Sequence, residues 1–539
     1  MSFRRTVQTA TLALFLFLLT AAAYTTANFI PADGFLRLDP LIIGGVIVAS
    51  RTFMLAFIPA LALLAVGLVL GRFFCWYVCP MGTVVDANDY LIGASKQNKR
   101  PPAGLRPIKY YLAIFIFGAA LLGVSLIFIA SPIALVTRLF GLVIFPVLEL
   151  FSDEALRVIQ PLTEKLDWQT LVFAQVKTTR FATQFFILAF FILLFASAKI
   201  SPRFWCRYLC PSGAIMALFS IKPFIRRRVS EECIDCGLCQ KSCPMAAIPE
   251  DPLATRHEEC IVCGTCEKVC PVDAVCFSRK KGEKIADQPG FSADRRRFIV
   301  SGLAGTGTAA LLLTGLSSVY GTPGEGRVAP PWLLRPPGAL PEGDFLAECV
   351  RCGECMTACP TNTLQPIWFQ AGIMGLFSPA VTPRRGACDP ECTRCGQVCP
   401  TNAIRELLPE ERMWAKIGTA VILRQECLAW EHQKKCLVCD EVCPFDAVEF
   451  RSEPGNPVGV PHVLENKCSG CGLCEYHCPI QNRAAIIIKP MGEIRLEQGS
   501  YREKAERQGI KLVFKDKVVD ESTYPADDSR KGPAPGFTD

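Results

Sequence analysis

The sequence predicts a mixed architecture: an α-helical membrane bundle built from a duplicated helix pair, followed by α+β domains organised around cysteine clusters. Three observations predict it. Half of the 539 residues are hydrophobic and the mean hydropathy is positive, which points to a chain in or on a membrane. The stretch RFFCWYVCP, from Arg72 to Pro80, returns as RFWCRYLCP, from Arg203 to Pro211, each time after a long apolar run. The 29 cysteines fall in clusters with C-x2-C spacing, which reads as metal ligation in a chain too long for a disulfide scaffold. The net charge of +7 is modest and gives no reason to invoke a nucleic-acid partner.

The first 200 residues contain four runs without charge, Val7–Ile30, Thr52–Leu70, Tyr110–Val136 and Phe181–Ala198. A span needs about 20 residues to cross about 30 Å of hydrocarbon. The second and fourth runs are short, and they continue into the semi-apolar cysteine stretches. Basic residues set the orientation. Arg4 and Arg5 precede the first run. Lys96, Lys99, Arg100, Arg106 and Lys109 lie between the second and third. Arg203, Arg207, Lys222, Arg226, Arg227 and Arg228 follow the fourth. The N-terminus and both cysteine pairs are therefore expected on the cytoplasmic side. Leu41–Ala49 and Phe140–Phe151 are shorter apolar stretches, expected as interfacial or re-entrant helices on the outer side.

A fifth uncharged run, Phe298–Tyr320, follows DRRRFIV. The stretch resembles a twin-arginine export signal with Arg295 and Arg296 as the pair, although Asp294 and Val300 depart from the pattern. No small-x-small cleavage site follows, so an uncleaved signal anchor is expected. The run also contains GLAGTG. With no strand before it and no βαβ unit around it, that glycine spacing reads as small residues in a membrane helix, not as a dinucleotide site. The expected organisation is a four-helix membrane domain over 1–225, a cytoplasmic two-cluster domain over 226–290, the anchor over 291–320 and a Pro/Gly-rich linker over 321–344. A four-cluster domain over 345–490, outside the cytoplasm, and a polar tail over 491–539 complete it.

The repeated unit consists of a span, an outer segment, a second span and the cysteine stretch, displaced by 131 residues at the cysteines. It implies a pseudo-two-fold axis along the membrane normal. Cysteines four apart share one helical face, so Cys75, Cys79, Cys206 and Cys210 are expected to converge at that axis. Pro80 and Pro211 are expected to end or kink their helices. Arg72, Arg203 and Arg207 would favour thiolate at these positions. Three readings are open for the four thiols: a metal or cluster site, a redox dithiol–disulfide pair, or inert buried thiols.

After the fourth run come CIDCGLCQKSCP (Cys233–Pro244) and CIVCGTCEKVCP (Cys260–Pro271). Each is the C-x2-C-x2-C-x3-C-P run of bacterial ferredoxins, whose fourth cysteine ligates the other cluster. One cluster should take Cys233, Cys236, Cys239 and Cys270; the other should take Cys260, Cys263, Cys266 and Cys243. Zinc sites do not show this proline-ended run in tandem. Cys276, left over in DAVCF, reads as a buried strand thiol. Four more motifs follow. Cys349, Cys352, Cys355 and Cys359 are regular, as are Cys468, Cys471, Cys474 and Cys478. Cys388, Cys392, Cys395 and Cys399, and then Cys427, Cys436, Cys439 and Cys443, are irregular. Two irregular motifs between two regular ones suggest one ferredoxin inserted in another. That nesting gives clusters on Cys349, Cys352, Cys355 and Cys478; on Cys468, Cys471, Cys474 and Cys359; on Cys388, Cys392, Cys395 and Cys443; and on Cys427, Cys436, Cys439 and Cys399. Six motifs thus carry six [4Fe–4S] clusters. His257 and His477 read as loop histidines beside clusters, since cysteines already fill the sites.

Several chemistries are excluded. No histidine lies in any membrane run and no C-x-x-C-H occurs, so neither a bis-histidine membrane haem nor a c-type haem is expected. No Walker loop and no hydrolase constellation is evident. One-electron chemistry remains.

These residues resemble two known families. Residues 1 to about 290 look like the NapH-type membrane polyferredoxins, with four spans, two C-x3-C-P motifs and two cytoplasmic [4Fe–4S] clusters. Residues about 291 to 490 look like the NapG/MauM-type ferredoxins, with a twin-arginine signal and four clusters outside the cytoplasm. The chain reads as a fusion of the two, located in a bacterial inner membrane with the four-cluster domain periplasmic. The resemblance implies quinol as substrate, with electrons passing from the quinone pool to a periplasmic cytochrome or reductase such as nitrate reductase. The N-terminal half is also similar to the NosR and FixG/RdxA-type polyferredoxins. No Ser/Thr-Gly-Ala-Thr flavin-attachment motif is present, so no flavin is expected. The FixG/RdxA likeness implies an alternative role as a copper reductase or oxidase-assembly factor. A passive wiring subunit of a larger redox complex is the third reading.

Overall fold

A computed structural model describes residues 3–24, 32–93, 105–165, 168, 176, 178–278, 286–287, 295–313, 332–369 and 372–515. Lys96, Lys99, Arg100, the end of the fifth apolar run and most of the expected linker lie outside them. The chain divides into two compact units. The first comprises 1–381, 393–407 and 495–497; the second comprises 382–392, 408–494 and 498–539. The division falls inside the stretch expected as one four-cluster domain.

In the first unit the helices follow the sequence repeat. The first half contains α1 (Phe3–Tyr24), α2 (Pro40–Ser50), α3 (Ile58–Leu70), a short turn at Phe74–Tyr77 and α4 (Pro80–Ile92). The second half contains α5 (Ile108–Leu121), α6 (Pro132–Leu139), α7 (Phe145–Lys165), α8 (Gln184–Ala196), a π turn at Trp205–Leu209 and α9 (Pro211–Phe219). Packing keeps the symmetry. α1 lies on α4 as α5 lies on α9, and each short inner helix crosses over, α2 onto α9 and α6 onto α4.

Two expectations are corrected here. The run Tyr110–Val136 is not one helix. α5 stops at Leu121, Gly123 takes a left-handed φ of 74°, and α6 begins only at Pro132. The break arises because Ser131 caps α6, its Oγ accepting from the Ala134 N–H at 3.3 Å, and proline suits a first helical position, where its missing N–H is no loss. The same logic corrects Pro80 and Pro211. They open α4 and α9, with Cys79 and Cys210 as extended N-cap residues. By length and composition two helices among the described residues, Arg4–Tyr24 and Pro132–Pro161, are long and apolar enough to cross a membrane. The apolar helices at Leu55–Leu70, Ile108–Leu121 and Gln184–Lys199 are shorter.

The helix Arg295–Leu313 packs along α5. A Cβ on Gly118 would lie 2.7 Å from the Gly302 carbonyl oxygen, and one on Gly305 would collide with the Phe115 carbonyl. The GLAGTG stretch thus supplies the small residues that let two helix backbones approach.

The cysteine modules share a backbone device. The residue before the second cysteine is left-handed at Asp235, Val262, Arg351 and Gly470, and the glycine after that cysteine is left-handed at Gly237, Gly264, Gly353 and Gly472. Two residues beyond the C-P dipeptide the chain is left-handed again, at Ala246, Asp273, Asn362, Asn402 and Asp446. Such alternation turns successive N–H groups to one side, forming concave anion-binding nests. Aspartate and asparagine tolerate this conformation better than other non-glycine residues.

Each pair of motifs is wrapped by strands that enter and leave together. Arg226–Val229 pairs antiparallel with Val275–Ser278 around the first pair. In the second unit Thr419–Ile422 pairs antiparallel with Ile486–Lys489. In the first unit a single antiparallel bridge joins Ala339 and Ile404. Nearby, buried Glu342 binds Arg335 at 2.6 Å and Arg495 at 2.8 Å. Burial raises its pKa, but Arg335 and then Arg495 outweigh that and hold it below the ordinary carboxylate range.

Gly305→Leu is expected to cost about 1–3 kcal/mol by overpacking, whereas Gly307→Leu, where a Cβ meets nothing, should cost far less; thermal denaturation of the two variants checks this. Glu342→Gln leaves two buried cations without a carboxylate, at a cost of about 3–5 kcal/mol at neutral pH. A depressed carboxylate pKa adds stability above the ordinary range and loses it as pH falls, so the gap between wild type and variant should shrink in denaturation curves taken at acid pH.

Candidate iron–sulfur centres

In the first module the structure brings Cys243 to Cys260, Cys263 and Cys266, where all four interact electrostatically. Cys239 interacts with Cys233 and Cys236, and Cys270 packs against the core that Cys239 and Cys266 share. The crossing follows from the short helices Leu238–Ser242 and Thr265–Lys268, which lie on each other and carry each fourth cysteine toward the neighbouring loop. The Ala247 N–H donates to Cys243 Sγ at 3.3 Å, and Arg227 Nη2 donates to Cys239 Sγ at 3.3 Å. Hydrogen bonds to sulfur are a lever on cluster potential.

The nested pairing of the later motifs is corrected. One cavity of the first unit is lined by Cys349, Cys352, Cys355 and Cys399, not Cys478. The Ile404 N–H donates to Cys399 Sγ at 3.5 Å, and Ile404 is the residue bridged to Ala339. In the second unit one cavity is lined by Cys427, Cys436, Cys439 and Cys478, with Cys474 at its edge, and not by Cys399. Beside it Cys443 interacts with Cys468, Cys471 and Cys474, where the nesting placed Cys359. At these three sites the fourth cysteine, Cys399, Cys478 or Cys443, comes from the motif adjacent in sequence. The physical reason is the backbone pairing that encloses two consecutive motifs, Ala339 with Ile404 and Thr419–Ile422 with Ile486–Lys489, which closes smaller loops than the nesting would. Regularity of spacing carried no information about partnership. Cys388 and Cys392 belong to the second unit, where Arg412 Nη2 reaches Cys388 Sγ at 3.1 Å; Cys359 and Cys395 belong to the first.

Whether these sites suit iron–sulfur clusters is tested by their electrostatics. Burial, opposed in part by Arg227 at Cys266 and by the Ile404 N–H at Cys399, pushes the Cys266 thiol up to about 12 and the Cys399 thiol up to about 11, with neighbouring thiolates adding to it. Burial pushes Cys471 up to about 12 in the same way. Four buried thiolates need a positive partner, which a soft metal supplies. Among the described residues no three Cys, His, Asp or Glu side chains close on a single ion. Four cysteines around an apolar cavity, with N–H groups aimed at sulfur, suit a multi-iron cluster better than a lone zinc. Cys276 is half-buried in its strand, not buried as expected. His257 is buried in the turn before Cys260, and His477 ends the short helix Leu473–His477.

The four C-x3-C-P cysteines also come together. The arginines do not favour thiolate there as expected: burial raises the Cys79, Cys206 and Cys210 thiols, and Arg203, then Arg72, oppose it only in part at Cys206. Cys210 Sγ accepts from the Gly213 N–H at 3.3 Å. Sequence reasoning missed the groups around them. Asp39, fully buried, accepts from Ser131 Oγ at 2.7 Å and from Ser212 Oγ, and it caps α2 through the Leu41 N–H. The signal was present as Asp39-Pro40 and Ser131-Pro132, which match the Cys-Pro helix starts. Arg72 binds Glu259 at 2.9 Å, and Lys109 binds the same carboxylate at 2.7 Å. Glu259 immediately precedes Cys260. Arg203, the repeat mate of Arg72, instead binds Asp86 of α4 at 2.6 Å. A polar cleft of about 600 Å³ lies beside these groups, lined by Arg4, Gln8, Trp76, Asp86, Arg203 and the module residues Lys241 and Thr265.

The two cysteine modules of the first unit meet opposite ends of α5. Lys109, at its start, binds Glu259, while Ala120, near its end, packs with Ala347 two residues before Cys349. Arg351, between two cluster cysteines, donates to the Ser125 carbonyl at 2.8 Å just beyond α5. Arg207 donates to the Pro244 carbonyl at 2.8 Å, tying the second cysteine stretch to the first module.

Comparison with known proteins agrees with this geometry. Models of a 4Fe–4S binding domain match residues 52–98, 183–230 and 346–365, and a 4Fe–4S dicluster model matches 232–274. The methylamine utilization ferredoxin-type protein MauM of Methylorubrum extorquens is 36% identical over 209 residues, which are 37% of this chain and 90% of that protein. MauM of Paracoccus denitrificans is 36% identical over 221 residues, 40% of this chain and 92% of that protein. The ferredoxin-type protein NapG of Escherichia coli is 33% identical over 223 residues, 38% of this chain and 90% of that protein.

The corrected pairing has a direct check. In Cys399→Ser, anaerobic alkylation and mass spectrometry should find Cys349, Cys352 and Cys355 newly reactive. Release of Cys427, Cys436 and Cys439 instead would restore the nested arrangement.

Proposed function

The chain belongs to the family of MauM- and NapG-type ferredoxins, and from that iron–sulfur electron-transfer base we propose that it links the quinol pool of a membrane to a redox acceptor on the other side. In this reading the chain joins a NapH-type membrane polyferredoxin to a NapG/MauM-type ferredoxin. α1, α3, α5 and α8 lie in the membrane, the Cys233–Cys270 module faces the cytoplasm, and the motifs from Cys349 to Cys478 face the periplasm. The observation that carries the reading is the placement of cysteine modules at the two ends of α5.

Six [4Fe–4S] clusters would each supply one-electron storage and release when bound. The residues prepare their sites by gathering four thiolates per cavity, by aiming N–H groups at sulfur and by excluding water with apolar linings. Quinol oxidation releases two electrons and two protons. We place the quinol headgroup in the cleft beside Trp76, because that cleft borders both the Cys75 turn and the first module. Arg4 and Arg203 hold Asp86 ionised there, through ion pairs at 2.9 Å and 2.6 Å, so the cleft offers donors and an acceptor to a hydroquinone. A periplasmic cytochrome or reductase would take the electrons at the far end.

The purified protein, incubated anaerobically with a soluble quinol analogue, should lose its iron–sulfur absorbance. Bleaching by dithionite but not by quinol would overturn the quinol assignment and leave the electron-transfer base intact. Iron analysis should find at least about 24 atoms per chain, four for each of six clusters; a total near 16 would remove two of them.

A further inference from the structure

We propose that Cys75, Cys79, Cys206 and Cys210 hold an iron–sulfur centre of the two-iron type inside the helix bundle, separate from the six ferredoxin clusters. The inference rests on the electron-transfer reading for its role, though not for its geometry. Each repeat contributes two thiols, and the stretches that carry them meet: Arg203 Nη1 donates to the Cys75 carbonyl at 3.4 Å, and a Cβ on Gly213 would lie 3.5 Å from Cys210 Sγ and 2.7 Å from Arg72 Nη2. Two thiolates on each iron is the ligand set of a [2Fe–2S] centre. A single ion on the same four thiolates would carry no sulfide, so the sulfide count separates the two.

Helix starts, hydroxyls and arginines surround the locus. Cys79 and Cys210 stand at the starts of α4 and α9, and Asp39 and Ser131 stand at the starts of α2 and α6. Asp39 accepts from Ser131 and from Ser212, two residues after Cys210, and caps α2, so the starts of α2, α6 and α9 meet at one locus, and Arg203 Nη2 reaches the Gly82 carbonyl at the start of α4 at 3.5 Å. Each helix start carries a partial positive charge, which favours anionic groups. The Asp39 carboxylate is already taken up by the Ser131 and Ser212 hydroxyls and the Leu41 N–H. The glycine of each C-P-x-G stretch keeps the locus tight. A Cβ on Gly82 would lie 2.7 Å from the Cys75 carbonyl oxygen, and one on Gly213 would lie 2.7 Å from Arg72 Nη2. Simple packing of thiols asks for none of these features.

The position gives the centre a role. On one side Arg72 joins the locus to Glu259, the neighbour of Cys260. On the other, α6 rises from Ser131 to Arg138, about 10 Å at 1.5 Å per residue, and a Cβ on Gly353, the neighbour of Cys352, would lie 3.5 Å from Arg138 Cγ. The locus therefore lies between the first module and the first outer cysteine cavity, and electron tunnelling falls steeply with distance. Through it the chain would conduct across its own bundle.

The test uses the full-length protein, purified anaerobically and enriched in 57Fe. Mössbauer spectra of the wild type should contain a two-iron component beside the cubanes. In Cys79→Ser/Cys210→Ser, about two iron and two sulfide per chain should be lost. A slowly relaxing EPR signal, visible at temperatures where cubane signals have broadened away, should vanish with them, while the cubane signals stay. The absence of a two-iron component in the wild type would overturn the proposal, even if the variant does not accumulate. Identical iron in both proteins, with the four thiols free, disulfide-bonded or carrying copper or zinc, would also overturn it. Loss of the cubanes from the wild type itself would instead defeat the electron-transfer reading.

Discussion

The first unit turns on one buried carboxylate. Glu259 is held by Lys109 and Arg72 and also accepts from Tyr110 Oη at 3.2 Å. Burial alone would raise its pKa, but Lys109 and then Arg72 bring it below the ordinary carboxylate range. Buried pairs of this kind gain little over a well-packed apolar contact, yet removing one partner is costly because the others stay charged. Such a group specifies register more than it adds stability. Here it fixes the residue before Cys260 against α5 and against the arginine that opens the first C-x3-C-P stretch. The module cannot slide on the bundle without uncovering three charges.

The repeat carries this constraint across the unit. Because α2 packs on α9 and α6 packs on α4, neither half of the bundle closes by itself. Each half supplies the short helix that the other half's Cys-Pro start needs. The two-fold relation is imperfect where function would demand it. Arg72 reaches out to Glu259, while Arg203 stays within the bundle on Asp86. One cysteine stretch is thus docked through its arginine, and the other through Arg207 on the Pro244 carbonyl.

Much of this was legible in the sequence. The C-x2-C-x2-C-x3-C-P run has a local cause, since its spacing and its glycine answer to backbone angles within a few residues. The duplication of RFFCWYVCP was equally plain. Other features were not readable because their causes are distant. Which fourth cysteine serves which loop depends on strands that meet over long separations, Ala339 with Ile404 and Thr419–Ile422 with Ile486–Lys489. The break between α5 and α6 hid inside a continuous apolar run, because hydropathy does not register a Ser-Pro cap. Asp39 was overlooked for the same reason. A single acidic residue before a proline looks like a loop until Ser131 and Ser212 are seen to converge on it.

The exchange of fourth cysteines has a consequence for the order of synthesis. The cavity of Cys349, Cys352 and Cys355 lacks its last thiol until Cys399 has left the ribosome, and that of Cys427, Cys436 and Cys439 waits for Cys478. A nascent chain halted between those points presents three converging thiols and an open corner, a species prone to capture stray metal or oxidant. Completion of each site is therefore a checkpoint on chain length. The bridge between Ala339 and Ile404 lies only five residues beyond Cys399, so the backbone closure and the last ligand of that cavity become available almost together.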